Sequence, residues 1–331
     1  MSDQLGTPDA LSYLRRLCRK YYVYAHVEPT NACNATCAIC PRESMTRKLR
    51  MMSWETYMGI MDTILPTPIP MLSLVGFGEP TLHPRIVDMI DVARRSRPDL
   101  VIKITTNGSR MTEGSLDKYF DAGLDLLEIS VFGYSPASYE ALMGGLKFQS
   151  IQRLLSALNS SGYPFSLTTV QTDQTSADDI RAFWASLGAP HVAIKGMHRR
   201  GGYLELDRQI EQEQALGGYN RRPVAVRGSA GLAVDSCHKL YMFLHVNANG
   251  QILPCVQEIN LTNVLGTIPA NSSIESVVAL TRDQRPTFDI CMGCELKQQD
   301  LMQYYATFFA DRFPDRFPSW LARLAEAESR T

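Results

Sequence analysis

Alternating β-type and helical segments predict an α/β fold with a parallel sheet made of βαβ units. Six short runs rich in β-branched and aromatic residues occupy 22–27, 71–77, 100–105, 126–132, 165–170 and 191–195. Five helical patterns lie between them, at 53–65, 84–96, 115–122, 148–160 and 175–187. Ser53 and Thr175 suit N-caps, and Gly123, Gly162 and Gly188 suit helix stops. Six strands fit an open sheet or part of a barrel, and periodicity alone does not choose between them.

An opening helix is expected over 8–20, capped by Thr7, with Pro8 in its first turn and Leu11, Leu14 and Leu17 as its apolar face. Arg15, Arg16, Arg19 and Lys20 read as its solvated side, and Cys18 as a buried structural thiol. The alternation breaks at Gly196, where a Gly- and Arg-rich stretch, 196–229, begins. Segments 240–246 and 251–255 then read as two strands around Asn249-Gly250, a type I′ hairpin signal. The helical tail carries Phe308, Phe309, Phe313, Phe317 and Trp320, an aromatic stripe suited to packing on the main body. The expected divisions are 1–21, 22–200, a linker at 201–234, 235–296 and 297–331.

The 331 residues suit one large domain or two. With 33 Lys+Arg against 34 Asp+Glu, the chain has no general attraction for nucleic acid or an anionic membrane. No apolar run approaches the ~20 residues that span a bilayer. The polar first ten residues lack a signal core, so a cytoplasmic location is expected. Eight cysteines stand at 18, 33, 37, 40, 237, 255, 291 and 294. Seven of them cluster in two groups, which in a reducing compartment reads as metal ligation.

Cys33, Cys37 and Cys40 place three thiols within eight residues. An iron–sulfur cube takes four ligands, so three cysteines leave one iron open to a small molecule. Zinc or buried structural thiols are the alternatives, but zinc wants a fourth Cys or His close by. The nearest histidine, His26, precedes the loop.

These residues resemble the radical S-adenosylmethionine (radical SAM) superfamily. The likeness covers about 22–200 and rests on Cys-x3-Cys-x2-Cys after the first strand. Gly76-Phe77-Gly78-Glu79-Pro80 resembles the family's Gly-Gly-Glu-Pro element, with Phe77 in place of the first Gly. Thr106-Asn107-Gly108 resembles its Thr-Asn-Gly turn, and Ser130 ends the fourth strand. The resemblance implies a partial (β/α)6 TIM-like barrel with its mouth at the strand C-termini. It implies a 4Fe–4S cluster on Cys33, Cys37 and Cys40, with S-adenosylmethionine on the open iron. Gly78, Glu79, Pro80, Thr106, Asn107 and Ser130 would meet that cofactor, and Ile39 would pack on its adenine where many members carry an aromatic residue. Segment 166–174 has no clear copy of the family's adenine element. The implied chemistry is reductive cleavage to a 5′-deoxyadenosyl radical that takes a hydrogen atom from substrate, with flavodoxin or ferredoxin as reductant.

Cys237, Cys255, Cys291 and Cys294 are separated by 17, 35 and 2 residues. Four thiols suit a structural zinc or a fully ligated 4Fe–4S cluster. Following a radical SAM-like region, the hairpin between the first two resembles the twitch extension, a shortened SPASM domain with helices and one auxiliary cluster. Full protein ligation would leave no open iron, which suits electron transfer or structure.

Only 32 residues precede Cys33, too few for a peptide-recognition domain, so a small-molecule substrate is expected. His198, Arg199 and Arg200 follow the sixth strand at the expected mouth, and arginine forks grip carboxylates. The resemblance then favours an anionic sugar- or nucleoside-derived substrate and its decarboxylation, as with cytosylglucuronate. Dehydrogenation or epimerisation of an aminocyclitol and modification of a peptide are the other enzymatic readings. A metal-binding interaction scaffold is the non-enzymatic one.

Overall fold

Seven strands of one sheet run parallel because each returns through a helix or a long connection, leaving little choice but crossover geometry. The computed structural model describes residues 7–171, 176–189, 191–196, 242–268 and 301–330. The strands are β1 (Tyr24–Val27), β2 (Thr36–Cys37), β3 (Met71–Leu74), β4 (Val101–Thr106), β5 (Leu126–Ser130) and β6 (Met143–Gly144). β7 (Phe165–Gln171), β8 (Val192–Gly196), β9 (Phe243–Val246), β10 (Gln251–Leu253) and β11 (Gly266–Thr267) complete them. The helices are α1 (Thr7–Leu17), α2 (Trp54–Ile64), α3 (Ile86–Ser96), α4 (Glu113–Asp121), α5 (Pro136–Leu142), α6 (Phe148–Ser161) and α7 (Ala177–Ser186). The last two described are α8 (Leu301–Arg312) and α9 (Phe317–Ser329).

In the main sheet the order is β11-β10-β9-β1-β3-β4-β5-β7-β8. From β1 to β8 the strands follow chain order with helices between, the wall of a partial TIM-like barrel. Ser53 caps α2, accepting from the Thr56 amide at 3.1 Å. Ser176, one residue beyond the expected Thr175, caps α7 by accepting from the Asp179 amide at 3.0 Å. Gly162 ends α6 with φ +70°, a conformation that L side chains adopt at a cost. The strand expected over 71–77 stops at Leu74, and the chain turns away before Gly76.

The helix α5 and the short strands β2, β6 and β11 were not anticipated. Ser135 caps the short helix α5, accepting from the Ser138 amide at 3.1 Å. The two-residue strands β2 and β6 pair Thr36 with Gly144 and Cys37 with Met143, anchoring the three-cysteine loop to the segment after α5.

The expected hairpin forms, but around a different turn. The Gly250 amide donates to the Asn247 carbonyl at 2.9 Å, and the Asn247 amide to Gln251 at 3.0 Å. Gly250 has φ +77°, and Asn249 lies outside the positive-φ region that a type I′ turn requires at both central residues. The geometry is a type I turn closed by a glycine bulge. The Asn247 side chain sets it, accepting from the amides of Asn249 and Gln251 at 2.9 and 3.0 Å. β9 does not stand apart: it lies parallel to β1, pairing Tyr24 with Phe243 through Val27 with Val246.

The two faces of the barrel wall differ. Outward positions such as Ala25, Leu72, Leu74, Ile102, Ile104, Leu127, Ile129 and Leu167 are fully buried against the helices. Past a first apolar layer of Phe243, Tyr24, Met71 and Val101, the inward register is mainly polar, with Leu126 the apolar neighbour of Lys103. His245, His26, Ser73 and Lys103 form one rung, Thr105, Glu128 and Ser166 another, and Ser130 and Thr168 a third.

The aromatic stripe of the tail closes the end of the barrel where the strands begin. Phe309, Phe317 and Trp320 are buried. Trp320 donates to the Asp99 carbonyl at 2.9 Å, and Arg316 to the Leu100 carbonyl at 2.7 Å. α1 joins this floor through Tyr13, whose ring lies 5.8 Å from Phe317 and 6.2 Å from Trp320. Cys18, expected as a buried thiol, is half-buried against the same core. Among the described residues, no helix is long and apolar enough to cross a membrane.

Candidate active site

At the opposite end, the loops after β1, β3 and β4 meet. The Gly78 backbone passes so close to the loop after β1 that a Cβ there would lie 2.3 Å from the Thr30 carbonyl oxygen and 2.5 Å from that of Ala32. No side chain fits, so glycine is required by close approach. The next amide, Glu79, donates to the Ala32 carbonyl at 2.8 Å. The loop leading into Cys33 is thereby held edge to edge with the Gly-Glu-Pro segment.

Glu79 is 2% exposed, and its carboxylate is taken up by the protein itself. Oε1 accepts from the Thr81 amide at 3.1 Å, the Thr81 hydroxyl at 2.7 Å and the Thr106 hydroxyl at 2.5 Å. Oε2 accepts from the Asn107 amide at 2.7 Å. Its geometry is that of a brace between strand ends. Pro80 opens the short 3-10 turn Pro80–Leu82 beside it. Asn107 extends the brace to the cysteine loop, donating to Asn34 Oδ1 at 3.0 Å, while Asn34 donates to the Ser109 hydroxyl at 2.8 Å.

Cys33, Cys37 and Cys40 are all half-buried. Burial, with the sulfurs of Cys40 and Cys33 nearby, pushes the Cys37 thiol up to about 12, and Arg42 offsets part of this. The three sulfurs therefore share one electrostatic neighbourhood. Among the described residues, no three His, Cys, Asp or Glu side chains converge on a point as a single ion requires. Cubane ligands each take a separate iron, so three cysteines suit a cluster with one open iron, whereas a structural zinc takes four donors. Ile39 is buried beside Cys40, and Ser130 is half-buried at the end of β5, paired with Thr168 through the backbone and with no side-chain hydrogen bond among the described residues.

Below this mouth, the inner wall carries a charged pair. Lys103 donates to Glu128 Oε2 at 3.0 Å, the Thr105 hydroxyl donates to Oε1 at 3.1 Å, and Lys103 lies 5.4 Å from the Tyr24 ring. Burial opposes the charge on Glu128, but Lys103 and Lys195 outweigh it and hold the carboxyl at about 2. Burial likewise opposes the Lys103 ammonium, and Glu128 with Tyr24 raises it above its ordinary value. The sequence gives no sign of this site, because Lys and Glu inside strands read as solvent-facing.

Two more sets of contacts fix the segment that follows the cysteine loop. Buried Glu28 receives both arms of Arg47, at 2.6 and 2.8 Å, and the Phe77 amide at 3.0 Å. Asn260 accepts from the Thr46 amide at 2.7 Å and donates to the Ser44 carbonyl at 3.0 Å. Of the second cysteine group, Cys255 is buried just beyond β10. Cys237, Cys291, Cys294, His198, Arg199 and Arg200 lie outside the described residues.

Residues 27–183 match the Radical SAM superfamily. The PqqA peptide cyclase of Gluconobacter oxydans is 25% identical over 312 residues, 82% of either chain. A tungsten-containing aldehyde ferredoxin oxidoreductase cofactor-modifying protein of Pyrococcus furiosus is 28% identical over 138 residues, 40% of this chain and 38% of its own. A probable GTP 3′,8-cyclase of Pyrococcus horikoshii is 26% identical over 56% of this chain and 57% of its own. The fold is similar to that of BtrN in complex with AdoMet and 2-DOIA, with TM-score 0.53, 19% identity and coverage of 83% of this chain and 94% of BtrN. It is also similar to Streptococcus suis SuiB bound to precursor peptide SuiA, with TM-score 0.59, 15% identity and coverage of 86% and 74%.

Proposed function

We propose, from the radical SAM match of residues 27–183, that this enzyme removes a hydrogen atom from a small polar substrate held inside the half-barrel. The polar inner wall carries this reading. Closed barrels of this kind fill their interior with layers of Val, Ile and Leu. Here the corresponding rungs bear His26, His245, Lys103, Thr105, Glu128 and Thr168. Such a wall suits a ligand rich in hydrogen-bonding groups.

Cys33, Cys37 and Cys40 would hold a 4Fe–4S cluster, and Cys237, Cys255, Cys291 and Cys294 an auxiliary one. When bound with S-adenosylmethionine and reduced by a flavodoxin or ferredoxin, the first cluster supplies the electron for reductive cleavage of that cofactor. Gly78, Pro80, Thr106, Asn107, Ser130 and Ile39 would line the cofactor pocket. Glu79 holds the loops of that pocket in place, and the floor of α1, α8 and α9 keeps water out from below.

In the finer reading the substrate is an acidic sugar or nucleoside. His198, Arg199 and Arg200 would bind its anionic group, and the reaction would be decarboxylation. Anaerobically reconstituted protein should then hold about eight iron per chain, falling to about four when Cys33, Cys37 and Cys40 become Ala. Carbon dioxide should appear in step with 5′-deoxyadenosine when a cytosylglucuronate-like substrate is supplied. A ketone without carbon dioxide from an aminocyclitol would mean dehydrogenation, an inverted stereocentre would mean epimerisation, and four iron with one zinc would remove the auxiliary cluster. Failure to cleave S-adenosylmethionine would leave only a metal-binding scaffold.

Peptide modification is the second reading, favoured by likeness to a peptide cyclase over 82% of both chains. Turnover of a peptide, with sugar acids and aminocyclitols inert, would decide for it.

A further inference from the structure

We propose that Lys103 and Glu128 together form a grip for a vicinal diol or amino alcohol, which makes the substrate a sugar-like or cyclitol-like ring. This rests on the proposed function above and narrows its substrate class.

The pair sets a charged donor and a charged acceptor 3.0 Å apart on the inner wall. Hydroxyls on neighbouring ring carbons lie about one hydrogen-bond length apart, and each both donates and accepts. One hydroxyl can therefore accept from the ammonium while its neighbour donates to the carboxylate. Both protein groups have capacity to spare. The Lys103 ammonium has three N–H donors, of which Glu128 takes one and the Tyr24 hydroxyl another, leaving one for a ligand. The Glu128 carboxylate has about four lone-pair positions and accepts here from Lys103 and Thr105. The lysine and glutamate side chains are 10% and 17% exposed, so the pair is desolvated without being sealed. Depression of the Glu128 carboxyl to about 2 keeps it an acceptor throughout the physiological range.

An aromatic face completes the site. The rings of Tyr24 and Tyr305 are 5.6 Å apart and those of Tyr305 and Tyr304 5.1 Å apart, and the Tyr304 phenol lies within the electrostatic reach of Glu128 and Lys103. Tyr24 is buried, and Tyr304, at the end of this series, is 51% exposed and is the ring a ligand can reach. A sugar or cyclitol ring has an apolar face of C–H groups that stacks on such a surface.

A purely structural ion pair would behave differently from a ligand grip. Buried pairs are often replaced by apolar residues of similar volume with little or no loss of stability. The reconstituted holoprotein with S-adenosylmethionine should bind myo-inositol and D-glucuronate in isothermal titration, and cyclohexanol at least tenfold more weakly. Lys103→Met and Glu128→Gln should each weaken myo-inositol binding at least tenfold. The paired variant, Lys103→Met with Glu128→Leu, should keep the wild-type melting temperature and iron content yet lose myo-inositol binding. Equal affinities for myo-inositol and cyclohexanol, or wild-type myo-inositol affinity in the paired variant, would overturn the grip. Wild-type iron content and dithionite-driven formation of 5′-deoxyadenosine are measured alongside. Their failure would count against the radical SAM reading, whereas normal values without diol binding would count against the grip alone.

Discussion

The Asn107 amide donates to Glu79 Oε2 at 2.7 Å, so one buried carboxylate joins the loop after β3 to the loop after β4. The same carboxylate accepts from Thr81 and Thr106. Glu79→Gln turns an acceptor into a donor facing one of these partners, and Glu79→Ala removes all the acceptors at once. A buried donor left without a partner costs about 1–3 kcal/mol. Glu79→Ala should therefore lose about 3 kcal/mol or more in denaturant unfolding of the metal-free protein, with Glu79→Gln between it and wild type. Two variants as stable as wild type would show that the brace is dispensable.

Glu28 and Arg47 form a two-armed pair, 6% and 7% exposed, between the end of β1 and the segment after the cysteine loop. Removing one member of a buried pair strands the other charge, at a cost of about 3–5 kcal/mol. Arg47→Met and Glu28→Leu should each destabilise by about that amount. Combining them should recover most of the loss, leaving the Phe77 amide without its acceptor. A double-mutant cycle measured by urea unfolding checks this, and simple additivity would contradict it.

Glu128 should shape the acid limb of stability. Its folded carboxyl lies at about 2, below the usual value near 4.3 for an unfolded glutamate. A depressed carboxyl stabilises the fold fully above the unfolded value, and that contribution fades as pH falls through the folded one. Unfolding free energy should therefore drop between about pH 4.3 and pH 2, and Glu128→Gln should flatten that segment. Parallel pH profiles for wild type and variant would count against the pair.

Asn260 should order a distant segment. It bridges Ser44 and Thr46, more than two hundred residues earlier in the chain. Loss of a hydrogen bond worth about 1 kcal/mol raises local opening roughly fivefold. Asn260→Ala should accelerate amide exchange at Thr46 by that factor in the metal-free protein, with β4 unchanged. Asn260→Asp retains the acceptor for Thr46 and should fall between the two. Unchanged exchange at Thr46 in the alanine variant would contradict the bridge.

The alternation of strands and helices was legible because the outer faces are uniformly apolar, as at Ile102, Ile104, Leu127 and Ile129. The three-cysteine loop and the Gly-Glu-Pro and Thr-Asn-Gly segments were legible as local spacing. What they do to one another was not. Glu79 reads as a cofactor contact at a strand end, and nothing local shows the bonds it makes to Thr106 and Asn107 on the next strand. Lys103 and Glu128 read as surface positions because a polar residue at every second place suits a half-exposed strand as well as a polar lumen. The Asn249-Gly250 signal found the hairpin but misjudged its turn, since the Asn247 side chain competes for the amides that a tighter turn would use. The pairing of β9 with β1 joins residues too far apart in the chain for any local pattern to announce it.

The floor of the barrel also sets a timetable for the chain as it is made. Arg16 of α1 pairs with Glu328 of α9 across a separation of 312 residues. At roughly 5–20 residues per second, α1 leaves the ribosome roughly 15 to 60 seconds before its packing partners exist. During that interval Leu14 and Leu17, buried in the finished protein, have no α8 or α9 to cover them. The barrel strands can pair meanwhile, but the end that seals them arrives last. A newborn chain of this protein is thus exposed at α1 until α8 and α9 emerge, and that helix is where a holding chaperone would find its grip.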